Sequence, residues 1–176
     1  MIFHETRLKG AFVIDMEPKE DERGFLARSY CKEEFRLNGI DFSMVQNSIS
    51  FNKKKGTVRG MHFQSAPYEE AKLVACIKGK IYDVIIDLRK GSPTCCHSYA
   101  IELSGDNHKM LYVPKGFAHG FQTLEDRTEI LYQISEFYHP EASNGVRWND
   151  KAFNISWPLE VTNISDKDKG YKDFSC

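Results

Sequence analysis

Two histidines in this chain stand in runs suited to proton chemistry. His62 lies in Gly56-Thr-Val-Arg-Gly-Met-His-Phe-Gln64, and His119 in Val113-Pro-Lys-Gly-Phe-Ala-His-Gly-Phe121. Each is set in a glycine-punctuated strand entry and has a cationic neighbour. An imidazole takes up and returns a proton near neutral pH, so either histidine is a candidate general base. Alternate side chains of a strand share a face, which groups His62 with Gln64 and Gly60. Arg59 then faces the other way, unless a bulge at Gly60 turns it inward. A third patch, Leu131-Tyr132 with Tyr138 shortly after, supplies phenols. Taken singly these residues are ordinary: Tyr132 alone reads as a core tyrosine and Lys72 as an exposed strand residue.

The elements that must position them are short. Gly10–Asp15, Lys72–Ile77, Lys80–Leu88, His97–Leu103 and Thr128–Ile134 are apolar, often alternating runs rich in Val, Ile, Tyr and Phe. Lys78-Gly79, Gly91-Ser92-Pro93 and Ser104-Gly105-Asp106-Asn107 separate them. Runs of this length and spacing predict an all-β antiparallel sandwich or barrel. One helix is predicted over Tyr30–Leu37, with Ser29 as its N-cap and Asn38-Gly39 ending it. A second short turn is predicted after Asn149-Asp150. No repeat, low-complexity tract or linker interrupts the chain, so residues 1–176 are expected to form one domain.

Composition narrows the function. The 176 residues are 41% apolar and 28% charged, and 24 Lys+Arg against 25 Asp+Glu leave a net charge of -1. That balance excludes a general nucleic-acid binder but leaves room for a local site for one phosphorylated ligand. No apolar run approaches the roughly 20 residues of a membrane-spanning helix, so no membrane partner is expected. The start Met1-Ile2-Phe3-His4-Glu5 lacks the features of a signal peptide, and a cytoplasmic location is expected. Five cysteines (31, 76, 95, 96 and 176) show no CxxC spacing and are expected to be reduced thiols.

The two histidine runs resemble the paired motifs of the cupin double-stranded β-helix, a small jelly roll. Gly56-x5-His62 is similar to the start of the first motif, and Pro114-x-Gly116-x-x-His119 to the core of the second. Metal-binding cupins place a second histidine two residues after the first, where this chain has Gln64. With Glu69 as the carboxylate, His62, Glu69 and His119 make a poor divalent-metal set, and no metal or cofactor is expected. A metal-dependent oxygenase or isomerase remains the alternative enzyme class, and a non-catalytic sugar-nucleotide-binding module a third.

A more specific resemblance runs through nearly the whole chain. Asp21-Glu-Arg-Gly24, Val45-Gln46, Arg59-Gly-Met-His-Phe-Gln64, Lys72-Leu-Val, Asp83-Val-Ile-Ile-Asp-Leu-Arg89, Gly116-Phe-Ala-His-Gly-Phe121, Tyr132, Tyr138-His-Pro140, Arg147-Trp-Asn-Asp150 and Ser165-Asp-Lys-Asp168 are similar to the dTDP-4-dehydrorhamnose 3,5-epimerases. The resemblance implies a metal-free cupin homodimer acting in deoxysugar biosynthesis of the O-antigen type. Its substrate would be a nucleoside-diphosphate 4-keto-6-deoxy sugar, whose C–H bonds at C3 and C5 are acidified by the ketone. By the same resemblance, His62 is the base, held by Asp168 in the right tautomer, and Tyr132 is the acid on the opposite face. Lys72 stabilises the enolate oxygen, Arg59 and His119 line the sugar and diphosphate region, and Gln46 and Tyr138 also bind substrate. Arg23 reaches the diphosphate from the partner subunit.

The nucleotide-binding residues depart from the family pattern. The usual continuation Gly-Phe-Phe-x-Glu is here Gly24-Phe25-Leu26-Ala27-Arg28, and the Asn expected two residues after Gln46 is Ser48. An acceptor replaced by a fixed cation reverses the hydrogen-bonding demand on the base. Arg28 and Ser48 are therefore expected to bind a nucleotide that need not be thymidine. A CDP- or GDP-linked sugar, and inversion at C3 alone, C5 alone or both, stay open.

Overall fold

In strand after strand, odd and even positions part between two different cores. In the computed structural model, which describes residues 1–174 and so excludes Cys176, thirteen strands follow one another. They are β1 (Ile2–Glu5), β2 (Phe12–Asp15), β3 (Lys19–Asp21), β4 (Gly24–Leu26), β5 (Gln46–Asn52), β6 (Val58–Gln64) and β7 (Lys72–Lys78). Then come β8 (Lys80–Asp87), β9 (Ser98–Ser104), β10 (Lys109–Val113), β11 (Phe117–Thr123), β12 (Thr128–Ile134) and β13 (Ser143–Gly145). Helix α1 spans Lys32–Leu37, α2 spans Asp166–Lys169, and a 3-10 turn at Lys151–Phe153 lies between β13 and α2.

One sheet has the order β1-β2-β10-β7-β12-β5 and the other β13-β6-β11-β8-β9, while β3 and β4 pair only with each other. The chain alternates between the two sheets from β5 to β8 and again from β9 to β13. Ladders within them are antiparallel, as in β11 against both β6 and β8. This is the jelly roll of the cupin double-stranded β-helix, as the sequence leads one to expect.

Between the sheets, Val74, Leu111 and Ile130 meet Ile81, Ile85, Leu103, Phe117 and Phe121. Each such buried aliphatic or aromatic side chain contributes about 1.5–3 kcal/mol. The intervening residues of the same strands face outward. Leu73, Met110 and Tyr112 pack under Phe35 of α1 and Phe42, and Met61, Val84, Ile86 and Ala118 pack under Val146 and Phe153. Both faces of both sheets are thus partly covered. No helix among the described residues is long and apolar enough to cross a membrane.

Helix α1 starts later than predicted. Tyr30 and Ser29 lie outside it, and Cys31 takes the N-cap position without a side-chain cap. The physical reason is Tyr30. Its ring packs against Phe35 and Phe42 and its hydroxyl donates to the Phe42 carbonyl at 2.8 Å, which holds the backbone out of the helix. The turn predicted after Asn149-Asp150 is the 3-10 turn, capped by the Asp150 carboxylate accepting from Ala152 N–H at 2.9 Å.

Candidate active site

The inner face of this sandwich carries polar residues where the alternation calls for apolar ones. Asp83 falls between Ile81 and Ile85 on β8, and His119 between Phe117 and Phe121 on β11. On the facing sheet, Lys72 precedes Val74 on β7, and Tyr132 follows Ile130 on β12. Buried polar groups cost free energy unless they find partners, and here they pair around one cavity of ≈ 260 Å³. Gln46, Ser50, Arg59, His62, Glu70, Lys72, His119, Tyr132 and Tyr138 line it.

A bulge brings Arg59 to the same side as His62. His62 pairs with His119, but Phe121, two residues on, pairs with Arg59, so β6 carries one extra residue. Gly60 absorbs it at φ +127°, and a Cβ there would lie 2.6 Å from the Gly120 Cα. Only glycine fits. The Arg59 guanidinium is then aimed by Asn52, whose side-chain oxygen accepts from Nε at 2.7 Å.

His62 is held from the far end of the chain. Its Nε2 lies 2.7 Å from Oδ1 of Asp168, 106 positions away. The carboxylate can only accept, so Nε2 carries the shared proton and Nδ1 is left free. Asp168 also accepts the Gly60 N–H at 3.2 Å and so satisfies the bulge. Its charge-rich run, which composition alone would leave in solvent, winds into α2 behind the Ser165 cap. Within α2 only Asp168 is buried. Burial pushes its carboxyl up, but the hydrogen bonds from His62, Gly60 and Ser165 outweigh that and hold it below the usual carboxylate range.

A second His–Asp pair lies deeper. His119 Nε2 is 2.8 Å from Oδ1 of Asp83, and both residues are buried. Burial raises the Asp83 carboxyl above its ordinary value against the pull of His119 and Lys72. Its Oδ2 has no hydrogen-bond partner among the described residues. The His119 ring meets Tyr132 edge-on at 5.8 Å. Burial, with Asp83 adding to it, also drives the Tyr132 phenol well up, so it remains a proton donor across the physiological range. Lys72, almost fully buried, is paired with Glu70 at 2.8 Å.

Gln64 builds the rim. Its amide donates to the carbonyls of Tyr68 and Phe137, both at 3.0 Å, and accepts the His139 N–H at 2.7 Å. The Tyr68 and His139 rings stack at 3.7 Å. Tyr138, between these anchored residues, also gives its N–H to the Gln46 side chain at 3.2 Å. It presents a largely exposed ring at the mouth. Ser48 opposes Tyr132 across the β5–β12 ladder but does not line the cavity, where Ser50 stands instead.

Two residues singled out in the sequence lie away from this cavity. Arg23 projects from the β3–β4 hairpin, 84% exposed, and among the described residues bonds only to Asp21. Arg28 pairs with Glu34 at 2.6 Å beside a ≈ 450 Å³ concavity. That hollow is lined by Met1, Glu17, Lys19, Leu26, Ala27, Arg28 and Glu34, and holds no histidine or tyrosine. The Met1 amine there is consumed by Glu17 and Glu34.

The trio His62, Glu69 and His119 is not brought together either. The Glu69 carboxylate points toward the turn at Gly116, and among the described residues no three His, Cys, Asp or Glu cluster in a way that holds a metal. Sequence reasoning missed Asn52, Ser50 and Glu70, and gave Asp83 no role. Asp83 alone carried a signal, a carboxylate at an inward position of an apolar strand.

The comparisons with known proteins point to one family. The family model described as dTDP-4-dehydrorhamnose 3,5-epimerase matches residues 5–175. The Methanothermobacter thermautotrophicus dTDP-4-dehydrorhamnose 3,5-epimerase is 39% identical over 173 residues, covering 97% of this chain and 92% of that protein. A crystal structure of the Bacillus anthracis enzyme with TDP and PPi bound superposes with a TM-score of 0.95 at 42% identity, covering 98% and 99% of the two chains. The Legionella pneumophila epimerase in complex with dTDP-4-keto-L-rhamnose gives 0.92 at 34% identity, covering 98% and 92%. Jelly roll, paired histidines and whole-chain similarity together establish that this chain belongs to the dTDP-4-dehydrorhamnose 3,5-epimerase family.

Proposed function

We propose that the protein is an isomerase that inverts C3 and C5 of dTDP-4-dehydro-6-deoxyglucose through an enolate. One observation carries this: a proton acceptor and a proton donor stand on opposing sheets of one cavity. His62 belongs to β6, Tyr132 to β12, and the Lys72 ammonium to β7. Epimerisation needs that disposition, because the proton must leave one face of the carbon and be returned to the other. His62 Nδ1 takes the proton α to the ketone, and the electron pair moves onto the carbonyl oxygen. Lys72 stabilises that oxyanion, and His119 lines the sugar beside it. Tyr132 then gives its phenolic proton to the opposite face, and the oxygen charge collapses to restore the ketone.

The cavity is smaller than the roughly 300–1,000 Å³ typical of whole-ligand pockets. It therefore takes the sugar and leaves the nucleoside at the mouth, against Tyr138. Arg59 is placed for the diphosphate. The chain acts as one domain in a homodimer, with Arg23 reaching the partner's diphosphate, and works in the cytoplasm without metal. Its full exposure and lack of any tie to its own cavity support that role for Arg23.

Incubating the protein with dTDP-4-dehydro-6-deoxyglucose in D2O tests the assignment. Deuterium should enter at C3 and C5, and His62→Asn should abolish entry at both. A parent protein that exchanges neither position, or a His62→Asn variant that still exchanges both, would overturn it.

A further inference from the structure

His62 has a second neighbour from the C-terminal segment. Tyr171, five residues past the start of α2, meets the imidazole edge-to-face with ring centroids 6.2 Å apart and planes at 68°. Its ring rests on Gly145 of β13, where a Cβ would come within 2.4 Å of Cζ and 2.5 Å of Cε2. Gly145 is the residue paired with His62 in the β13–β6 ladder. The Tyr171 hydroxyl is buried beside the Lys167 side chain, and no hydrogen bond of good geometry holds it among the described residues. The ring therefore has a built seat, while the hydroxyl has only Lys167 near it.

We infer that Tyr171 is a positioning residue, a wall that fixes the plane of the His62 ring. A single hydrogen bond to Asp168 fixes where Nε2 sits but leaves the ring free to swing about the Nε2···Oδ1 line. A swung ring aims Nδ1 away from the carbon it must deprotonate. Small misplacements of a reacting group are costly, on the order of 10²-fold for about 1 Å. The C-terminal segment thus delivers two constraints to the base, Asp168 along the ring and Tyr171 across it. The role rests on His62 being the base proposed above.

Three variants in the D2O assay decide it. Tyr171→Ala should lower kcat roughly 10- to 100-fold with KM within about twofold, because the substrate contacts remain. Gly145→Ala, whose Cβ meets the ring first and then the Met61 carbonyl oxygen at 2.7 Å, should give the same pattern. Tyr171→Phe, which keeps the ring, should rescue turnover. Thermal melts run alongside show that each variant is folded at the assay temperature. Equal loss in Tyr171→Phe and Tyr171→Ala would overturn the inference in favour of the hydroxyl. A rise in KM alone, or an unaltered Gly145→Ala protein, would overturn it too. The 15N resonances of His62 give a readout independent of turnover. They should be a single sharp set in the parent and exchange-broadened in Tyr171→Ala. If the parent itself exchanges no deuterium, the epimerase assignment fails, and the His62 resonances still decide the role of Tyr171.

Discussion

The cavity and the β3–β4 hairpin make opposite use of charge. In the cavity, His62 has Asp168, His119 has Asp83 and Lys72 has Glu70, each within 2.8 Å. The acidic partners are buried or nearly so, and these contacts form within one chain. In the hairpin, Phe25 is half exposed and Leu26 is 78% exposed. Arg23 there bonds, among the described residues, only to Asp21 on the same hairpin. Electrostatics in a desolvated site are strong and directional, whereas exposed ion pairs contribute little. The half of the site proposed for proton chemistry is thus paired within one chain. The half assigned to the nucleotide is not, and awaits substrate and, as proposed, a second subunit.

The sharpest break of this contrast is Asp168→Asn. It keeps the shape but offers His62 the wrong hydrogen-bonding pattern, so turnover should fall by roughly 10² or more, as in other His–Asp pairs. The folded-state carboxyl is held below its usual value. Asp168 therefore contributes stability that is fully present above the unfolded-state value of about 4 and is lost as pH falls through the folded one. Melts from pH 7 down to about pH 3 should show the parent converging on the Asn variant only at the acid end. An Asn variant with the parent's turnover would mean that the pair is structural.

Asp168 also shows how far the sequence could be read. Strand positions and an antiparallel sandwich or barrel were legible because apolar alternation repeats from β7 through β12, while the jelly roll was legible only through the likeness of the two histidine runs to cupin motifs. The bulge at Gly60 was legible as an option, since glycine licenses it, but its occurrence depends on the β6–β11 register. Asp168 was out of reach of local pattern. Three of the four α2 residues do face solvent, and only the fold over 106 positions buries the remaining one. Tyr171, Asn52 and Glu70 were likewise invisible, because their meaning lies in contacts rather than in type or spacing. Ser29 misled because a good capping residue lost to the packing of its neighbour Tyr30.

Asp83→Asn should have a smaller effect. The Asn oxygen still accepts the His119 Nε2 proton, but the buried negative charge is gone and the new amide replaces an oxygen that already lacks a partner. A fall in kcat of roughly tenfold is expected, with KM little altered, from steady-state rates. Loss as large as in Asp168→Asn would make the two histidines equals and break the division between the base and the histidine that lines the sugar.

Arg23→Ala tests the hairpin. KM should rise about tenfold through loss of a charge-assisted contact to diphosphate, while kcat holds. Mixing it with His62→Asn should return a population of sites with the parent's KM, since a mixed dimer gains one site with both residues intact. No recovery on mixing, with subunit exchange confirmed by mass, would place Arg23 in its own chain's site or in none.

The smallest expected effect lies at Leu26 and Arg28. Relatives in the family pattern carry an aromatic ring and a carboxylate there, and here the leucine is bare to solvent while the arginine is spent on Glu34 at 2.6 Å. Arg28 is thereby partly withdrawn from any ligand, because Glu34 is itself locked to the Met1 amine at 2.8 Å. Restoring the ring with Leu26→Phe should add about 1 kcal/mol of stacking, close to fivefold in affinity. Arg28→Glu returns an acceptor for the thymine ring N–H, but it also sets a new carboxylate beside Glu34. The double variant should therefore bind thymidine diphosphate more tightly than the parent by only a few-fold. Calorimetry with thymidine, cytidine and guanosine diphosphates on both proteins measures it. A parent that already prefers thymidine strongly would show that Tyr138 and the mouth of the cavity select the base, with the hairpin residues as bystanders.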